Sequence, residues 1–160
     1  HLQEYLVREA CCPTVQAFKH TNIEKAHPAP GVAESIMAAQ AVFLCPSNPF
    51  ISMNPILAVP GLRKLLIATQ ASVIAVTPIV EGRALKGPAA KMLQELGYPV
   101  NPTSIARFYQ DFLDGFVLDA RDIQLREEIE ALNITVITAD TLMESVEDKI
   151  KLANRLLETL

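Results

Sequence analysis

An α/β domain, doubly wound around a mostly parallel sheet, is the fold this chain predicts, and three observations carry the prediction. Residues 41–44 and 73–76 are short continuous apolar runs, the pattern of strands covered on both faces by helices. Between them lies a stretch with apolar residues at helical spacing, so strand, crossover and strand follow one another as in a right-handed parallel unit. Two further apolar runs, at residues 116–118 and 134–138, repeat the alternation with a helical pattern between them.

Composition narrows the classes. With 160 residues, 50% of them hydrophobic and 20% charged, the chain suits one globular domain with a sizeable core. The formal net charge of -4, without a basic stripe, argues against nucleic acid as a partner. Prolines interrupt the apolar stretches at 51–62 and 71–80, which stay short of the ~18 to 20 residues of a membrane span, so no membrane segment and no signal peptide are expected. Cys11, Cys12 and Cys45 lack the repeated Cys-x-x-Cys spacing of a structural zinc site, and reduced thiols in a cytoplasmic protein are the simplest account.

Taken in order, Leu2, Leu6, Val7 and Ala10 permit a helical face that Pro13 ends, and a strand fits the same stretch. Val15 to Lys19 alternates as a short strand, and His20 to Pro30 reads as loop. A helix over 31–40 presents Val32, Ile36, Met37 and Ala39, and the strand at 41–45 follows at once. Pro60 suits the first position of a helix whose inner face is Leu62, Leu65, Leu66 and Thr69. The strand at 73–76 leads into a loop from Thr77 to Gly87, then a helix begun by Pro88 and ended by Gly97. Thr103 is the expected cap of a short helix to Tyr109. Asp111 and Asp114 read either as paired carboxylates or as the turn into the strand at 116–118. Asp119 caps a helix that buries Ile123, Leu125, Ile129 and Leu132 before the strand at 134–138. The last helix carries Val146, Ile150, Ala153, Leu157 and Leu160 as its packing face, with a Glu147–Lys151 ion pair.

Two stretches after strands stand out. Ser47 and Asn48 place a hydroxyl and an amide where a buried strand ends, and Pro49 stops that strand; ligands of open α/β sheets bind beside such carboxyl ends. The same residue types also make ordinary turns. In the second stretch Arg83 and Lys86 precede a helix start, with Gly82 and Gly87 letting the backbone come close, an arrangement that suits an anion. As isolated residues the two cations read equally as surface charges.

Ser47-Asn48-Pro49-Phe50, followed by Pro55-Ile56-Leu57-Ala58-Val59-Pro60-Gly61, resembles the signature of the 2-phospho-L-lactate transferase (CofD) family. The block Thr77-Pro78-Ile79-Val80-Glu81-Gly82-Arg83-Ala84-Leu85-Lys86-Gly87-Pro88 resembles the same family at the expected separation, with weaker matches at Gln3-Glu4-Tyr5, Asp111 to Gly115 and Asp140 to Met143. Asn54 and Glu81 stand where that family usually has glycine, and Glu81 brings a negative charge beside the proposed anion loop.

The resemblance implies a Rossmann-like fold and a reading of residues 1–160 as a single α/β domain, the C-terminal portion of a longer transferase. It implies transfer of a 2-phospho-L-lactyl or phosphoenolpyruvyl group from a guanosine diphosphate adduct to the deazaflavin 7,8-didemethyl-8-hydroxy-5-deazariboflavin, with release of GMP, in coenzyme F-420 biosynthesis. Its implied nucleotide-binding residues are Ser47, Asn48, Pro49, Arg83, Lys86 and Gly87. Its implied cofactor is Mg²⁺, whose ligands are expected outside this chain, and no catalytic residue is assigned here. The chain alone is therefore expected to be inactive, and a homodimer is compatible with the family. The alternative is a non-catalytic nucleotide- or nucleotide-sugar-binding regulator of the same superfamily.

Overall fold

The computed structural model describes residues 1–160. Its strands are β1 (Ala41–Leu44), β2 (Ser72–Val76), β3 (Ile79–Val80), β4 (Arg83–Ala84), β5 (Gly115–Asp119) and β6 (Thr135–Ala139). β1, β2, β5 and β6 form, in that order, a wholly parallel sheet, with Ala41 beside Ser72, Ile74 beside Gly115 and Gly115 beside Thr135. Glycine opens β5 for a steric reason: a Cβ there would come within 3.2 Å of the Ile74 side chain. β3 and β4 make a small separate hairpin.

The helices are α1 (Val32–Ala38), α2 (Asn54–Leu57, continuing a π-helical turn Pro49–Met53), α3 (Leu62–Ala68), α4 (Ala89–Glu95), α5 (Pro102–Tyr109), α6 (Arg126–Glu130, after a 3-10 turn Ala120–Leu125) and α7 (Val146–Leu157). They cover both faces of the sheet, so the doubly wound, Rossmann-like class holds. The cover is unequal. One face joins a core of 22 buried residues, with Val73, Ala75, Phe116, Leu118 and Val136 against helical Leu62, Leu66, Met92, Ile105 and Ile129. The other is a cluster of 6, in which Ile74, Val76, Val117 and Ile137 meet Leu152 and Leu156 of α7. No single helix is long and apolar enough to cross a membrane; Pro49–Leu57 and Leu62–Ala68 meet at 80° and bury Phe50, Leu57, Leu62 and Leu66.

Several local expectations give way to tertiary demands. Val15 to Lys19 joins no strand; the Val15 amide donates to the Glu95 carboxylate, which Lys91 holds, while the Lys91 ammonium donates to the Pro13 carbonyl. Residues 2–12 contain only the π-helical turn Glu4–Arg8, closed by left-handed Ala10 and Cys11. Helix α3 starts at Leu62 behind left-handed Gly61 rather than at Pro60. The cap of α5 is Asn101, whose Oδ1 accepts the Ser104 amide at 2.9 Å; Pro102 takes the first position and Thr103 is buried. Asp111 and Asp114 are not a carboxylate pair, because Asp111 accepts from Nε and Nη2 of Arg63 and Asp114 accepts the Val73 amide at 2.8 Å.

After β5 the chain winds as 3-10 helix, which turns Ile123 outward and buries Asp122, whose Oδ2 accepts the Glu81 amide at 2.9 Å. Val146, Ile150, Ala153 and Leu157 on α7, and Leu160 beyond it, are exposed, and Leu152 and Leu156 are the residues that pack. The Glu147–Lys151 pair does not form; the ion pair of that helix is Arg155–Glu158 at 3.4 Å, at its C-terminal end. A repeat of apolar residues identifies a stripe but not the surface it meets.

Candidate functional site

The carboxyl ends of β1 and β2 open into a cavity of about 560 Å³, a size that accepts a small organic ligand. Three segments wall it: Pro46, Ser47 and Asn48 after β1, Pro78 with Leu85, Lys86 and Ala89 after β2, and Leu142, Met143, Glu144 and Lys149 from the chain entering α7. Of the six residues expected to bind a nucleotide, Ser47, Asn48 and Lys86 line the cavity. Pro49 is buried as the first residue of the π-helical turn behind it. Gly87 lies in the turn before α4, left-handed with φ +68°. Arg83 is exposed on the β3–β4 hairpin, outside the lining.

Asn48 has a definite local task. Its Oδ1 accepts the Phe50 and Ile51 amides at 2.9 and 3.2 Å, capping the π-helical turn, and its Nδ2 donates to Met92 Sδ at 3.3 Å. The side chain therefore fixes the wall, and what it has left for a ligand is the second proton on Nδ2. The Ser47 hydroxyl makes no hydrogen bond within the chain and is free to bond a ligand.

The hairpin beneath Lys86 turns through Glu81 (φ +49°) and Gly82 (φ +72°), two successive left-handed residues. Glu81 is exposed and does not line the cavity, so its charge does not sit among the wall residues. A position with positive φ is one that glycine fills without strain, which accounts for the glycine of the resembled family there.

The third wall is positioned by Asp119, which sequence reading treated as a helix cap. It does accept the Arg121 amide at 3.0 Å, but its other oxygen accepts both the amide and the hydroxyl of Thr141, each at 2.8 Å. Those bonds hold the segment after β6 as it crosses the end of the sheet toward the cavity. Burial raises the Asp119 pKa, but the Arg121 and Thr141 amides, the Thr141 hydroxyl and the Arg121 guanidinium outweigh it and hold the carboxyl below the ordinary range. The nearest sequence signal was Thr141, inside a block matched for other reasons. Lys149 carried no signal at all, being one exposed lysine on an amphipathic helix.

Nowhere do three or more His, Cys, Asp or Glu side chains gather as a metal site. A second cavity of about 490 Å³, among Phe18, Phe50, Tyr98 and Phe108, takes only Pro49 of the six expected residues.

Comparison with known proteins gives one consistent result. The sequence model described as 2-phospho-L-lactate transferase CofD matches residues 1–155. A 2-phospho-L-lactate transferase from Methanothermobacter thermautotrophicus is 39% identical over 154 residues, 96% of this chain and 49% of that protein. One from Methanosarcina barkeri is 37% identical over 153 residues, 96% of this chain and 49% of that protein. A phosphoenolpyruvate transferase from Streptomyces griseus is 35% identical over 159 residues, 99% of this chain and 50% of that protein. The chain spans about half the length of the curated relatives it matches.

Proposed function

The chain belongs to the 2-phospho-L-lactate transferase (CofD) family, and from that premise we propose that the whole protein moves a 2-phospho-L-lactyl or phosphoenolpyruvyl group from its guanosine diphosphate adduct to the ribityl hydroxyl of 7,8-didemethyl-8-hydroxy-5-deazariboflavin. The acceptor oxygen attacks the phosphorus bearing the lactyl or enolpyruvyl oxygen, its proton is lost, the bond from that phosphorus to the bridging oxygen breaks, and GMP leaves. In this reading residues 1–160 are one α/β domain, the nucleotide-holding C-terminal portion of a longer transferase. Its free thiols at Cys11, Cys12 and Cys45 suit a reducing cytoplasm.

One observation carries the reading: Ser47, Asn48 and Lys86, from loops after two different parallel strands, converge on a single cavity at the carboxyl edge of the sheet. Ser47 bonds a polar group of the nucleotide, Asn48 adds its spare amide proton, and Lys86 neutralises phosphate as charge builds on the departing GMP. Pro49 and Gly87 serve through the backbone, the first by starting the turn that Asn48 caps, the second by turning the chain into α4. Arg83 meets a phosphate only from outside the lining.

Mg²⁺ supplies charge neutralisation in such transfers. The residues present do not fit it, since Glu144 is the only acid in the lining and no acidic cluster forms elsewhere. Its ligands therefore belong, in this proposal, to the half of the relatives' length that these residues do not match.

Calorimetric titration of the chain with GDP tests the site. Lys86→Ala is expected to weaken binding roughly tenfold, the scale of one charge-assisted hydrogen bond. Equal dissociation constants for the two proteins remove Lys86, and no GDP binding by the unmodified chain removes the site.

A further inference from the structure

Lys86 brings one cation to the cavity from the β4–α4 turn, and the lining holds a second. Lys149, on the first turn of α7, lines it together with Lys86 and Ser47. Neither lysine takes part in any ion pair of the molecule. The acids nearest Lys149 in sequence are otherwise engaged or exposed. Asp148 accepts the Ser145 amide and hydroxyl at 2.9 and 2.8 Å and the Glu144 amide at 3.2 Å, as the reciprocal cap of α7. Glu147 is exposed and outside the lining, and Glu144 is the one acid within it. Two lysines against one glutamate leave the lining with a net positive charge.

We propose that Lys149 is a second phosphate-binding residue, so that the diphosphate of a nucleoside diphosphate bridges the β4–α4 turn and α7. The proposal rests on the nucleotide reading of this cavity and adds a ligand from a third wall. Two ammonium groups from separate elements are an arrangement for a ligand with more than one charged phosphate, because each then meets its own anionic oxygen without repelling the other at one point. The Asp119–Thr141 anchor holds the segment that leads into α7, the helix that carries Lys149.

The test is calorimetry on the full chain with GDP and with guanosine, for the unmodified protein, Lys149→Met and Lys149→Arg, across a series of salt concentrations. Lys149→Met is expected to weaken GDP roughly tenfold, to flatten the dependence of affinity on salt, and to leave guanosine unchanged; Lys149→Arg should restore most of the GDP affinity. If the unmodified chain binds GDP and Lys149→Met binds it with the same constant and salt slope, Lys149 is excluded while the Ser47–Lys86 site stands. An equal loss for guanosine also overturns the proposal, by showing a change in the wall rather than in phosphate binding. Absence of GDP binding by the unmodified chain overturns the site and this addition together.

Discussion

The walls of the cavity differ in how they are held. Behind Ser47 the chain is fixed by Asn48, whose carbonyl caps the next turn and whose amide reaches Met92, with Pro49 and Phe50 buried immediately after. The segment leading to Lys149 is fixed by a fully buried carboxylate, Asp119, where Asn48 is only half-buried. The wall that carries Lys86 is held only at its base, where buried Thr77 bonds the Ile79 backbone and buried Asp122 accepts the Glu81 amide; Glu81 to Arg83 and Leu85 to Gly87 are exposed. Polar side chains bonded within the fold set where the walls stand, and exposed cations supply the charge. Stability and binding should therefore separate on mutation.

The largest effect is expected at Asp119. Asp119→Ala leaves the buried Thr141 amide and hydroxyl and the Arg121 amide without their acceptor and should cost about 3 kcal/mol of folding stability in urea denaturation. The pH dependence has a definite sign. The folded carboxyl is held below its unfolded range, so its contribution is fully present above the ordinary aspartate range and drains away as pH falls through the lowered folded value. Unfolding measured from neutral pH down to pH 3 should show a steeper loss in the unmodified chain than in Asp119→Asn; parallel curves would make Asp119 a bystander.

Asn48→Ala comes next. Loss of the cap should lower stability by roughly 1 to 2 kcal/mol, read as a shift in the urea midpoint with unchanged slope. A variant of full stability that loses only GDP affinity would reverse the assignment, making the amide a ligand group first and a cap second. The smallest effect tests the loosely held wall. Glu81→Gly relieves a left-handed glutamate, and the gain should be about 0.5 to 1 kcal/mol in the same assay. A loss instead would mean that the Glu81 side chain contributes something its exposed position does not show.

Much of this fold was legible before any coordinates. Buried parallel strands are continuous apolar runs, so β1, β2, β5 and β6 announced themselves, and the alternation with helices fixed their parallel sense. The convergence of Ser47 and Lys86 followed from topology alone, because both loops leave the carboxyl ends of adjacent strands. What sequence could not separate was the work of one residue type in two settings. Asn48 read as a ligand amide, and its capping of the Phe50 and Ile51 amides is a second task of the same side chain that asparagine as a residue type does not distinguish. The stripe Val146, Ile150, Leu157 and Leu160 misled for a similar reason, since α7 presents two apolar faces and the sheet takes the one with Leu152 and Leu156. Lys149 was invisible because its place depends on how the segment after β6 crosses the sheet, which no local pattern encodes.

That crossing has a consequence for the order of events in folding. Ser47 and Lys149 are far apart along the chain, and they face one cavity only after β6 has paired and α7 has docked against Ile74, Val76, Val117 and Ile137. A partly folded chain with β1 and β2 already paired has two walls and no enclosed site. A ligand that needs all three walls therefore cannot assist the early steps or bind a folding intermediate. It acts by mass action on the finished state alone, raising the apparent stability of completed molecules without hastening their formation, and its binding counts only the molecules in which the last helix has arrived.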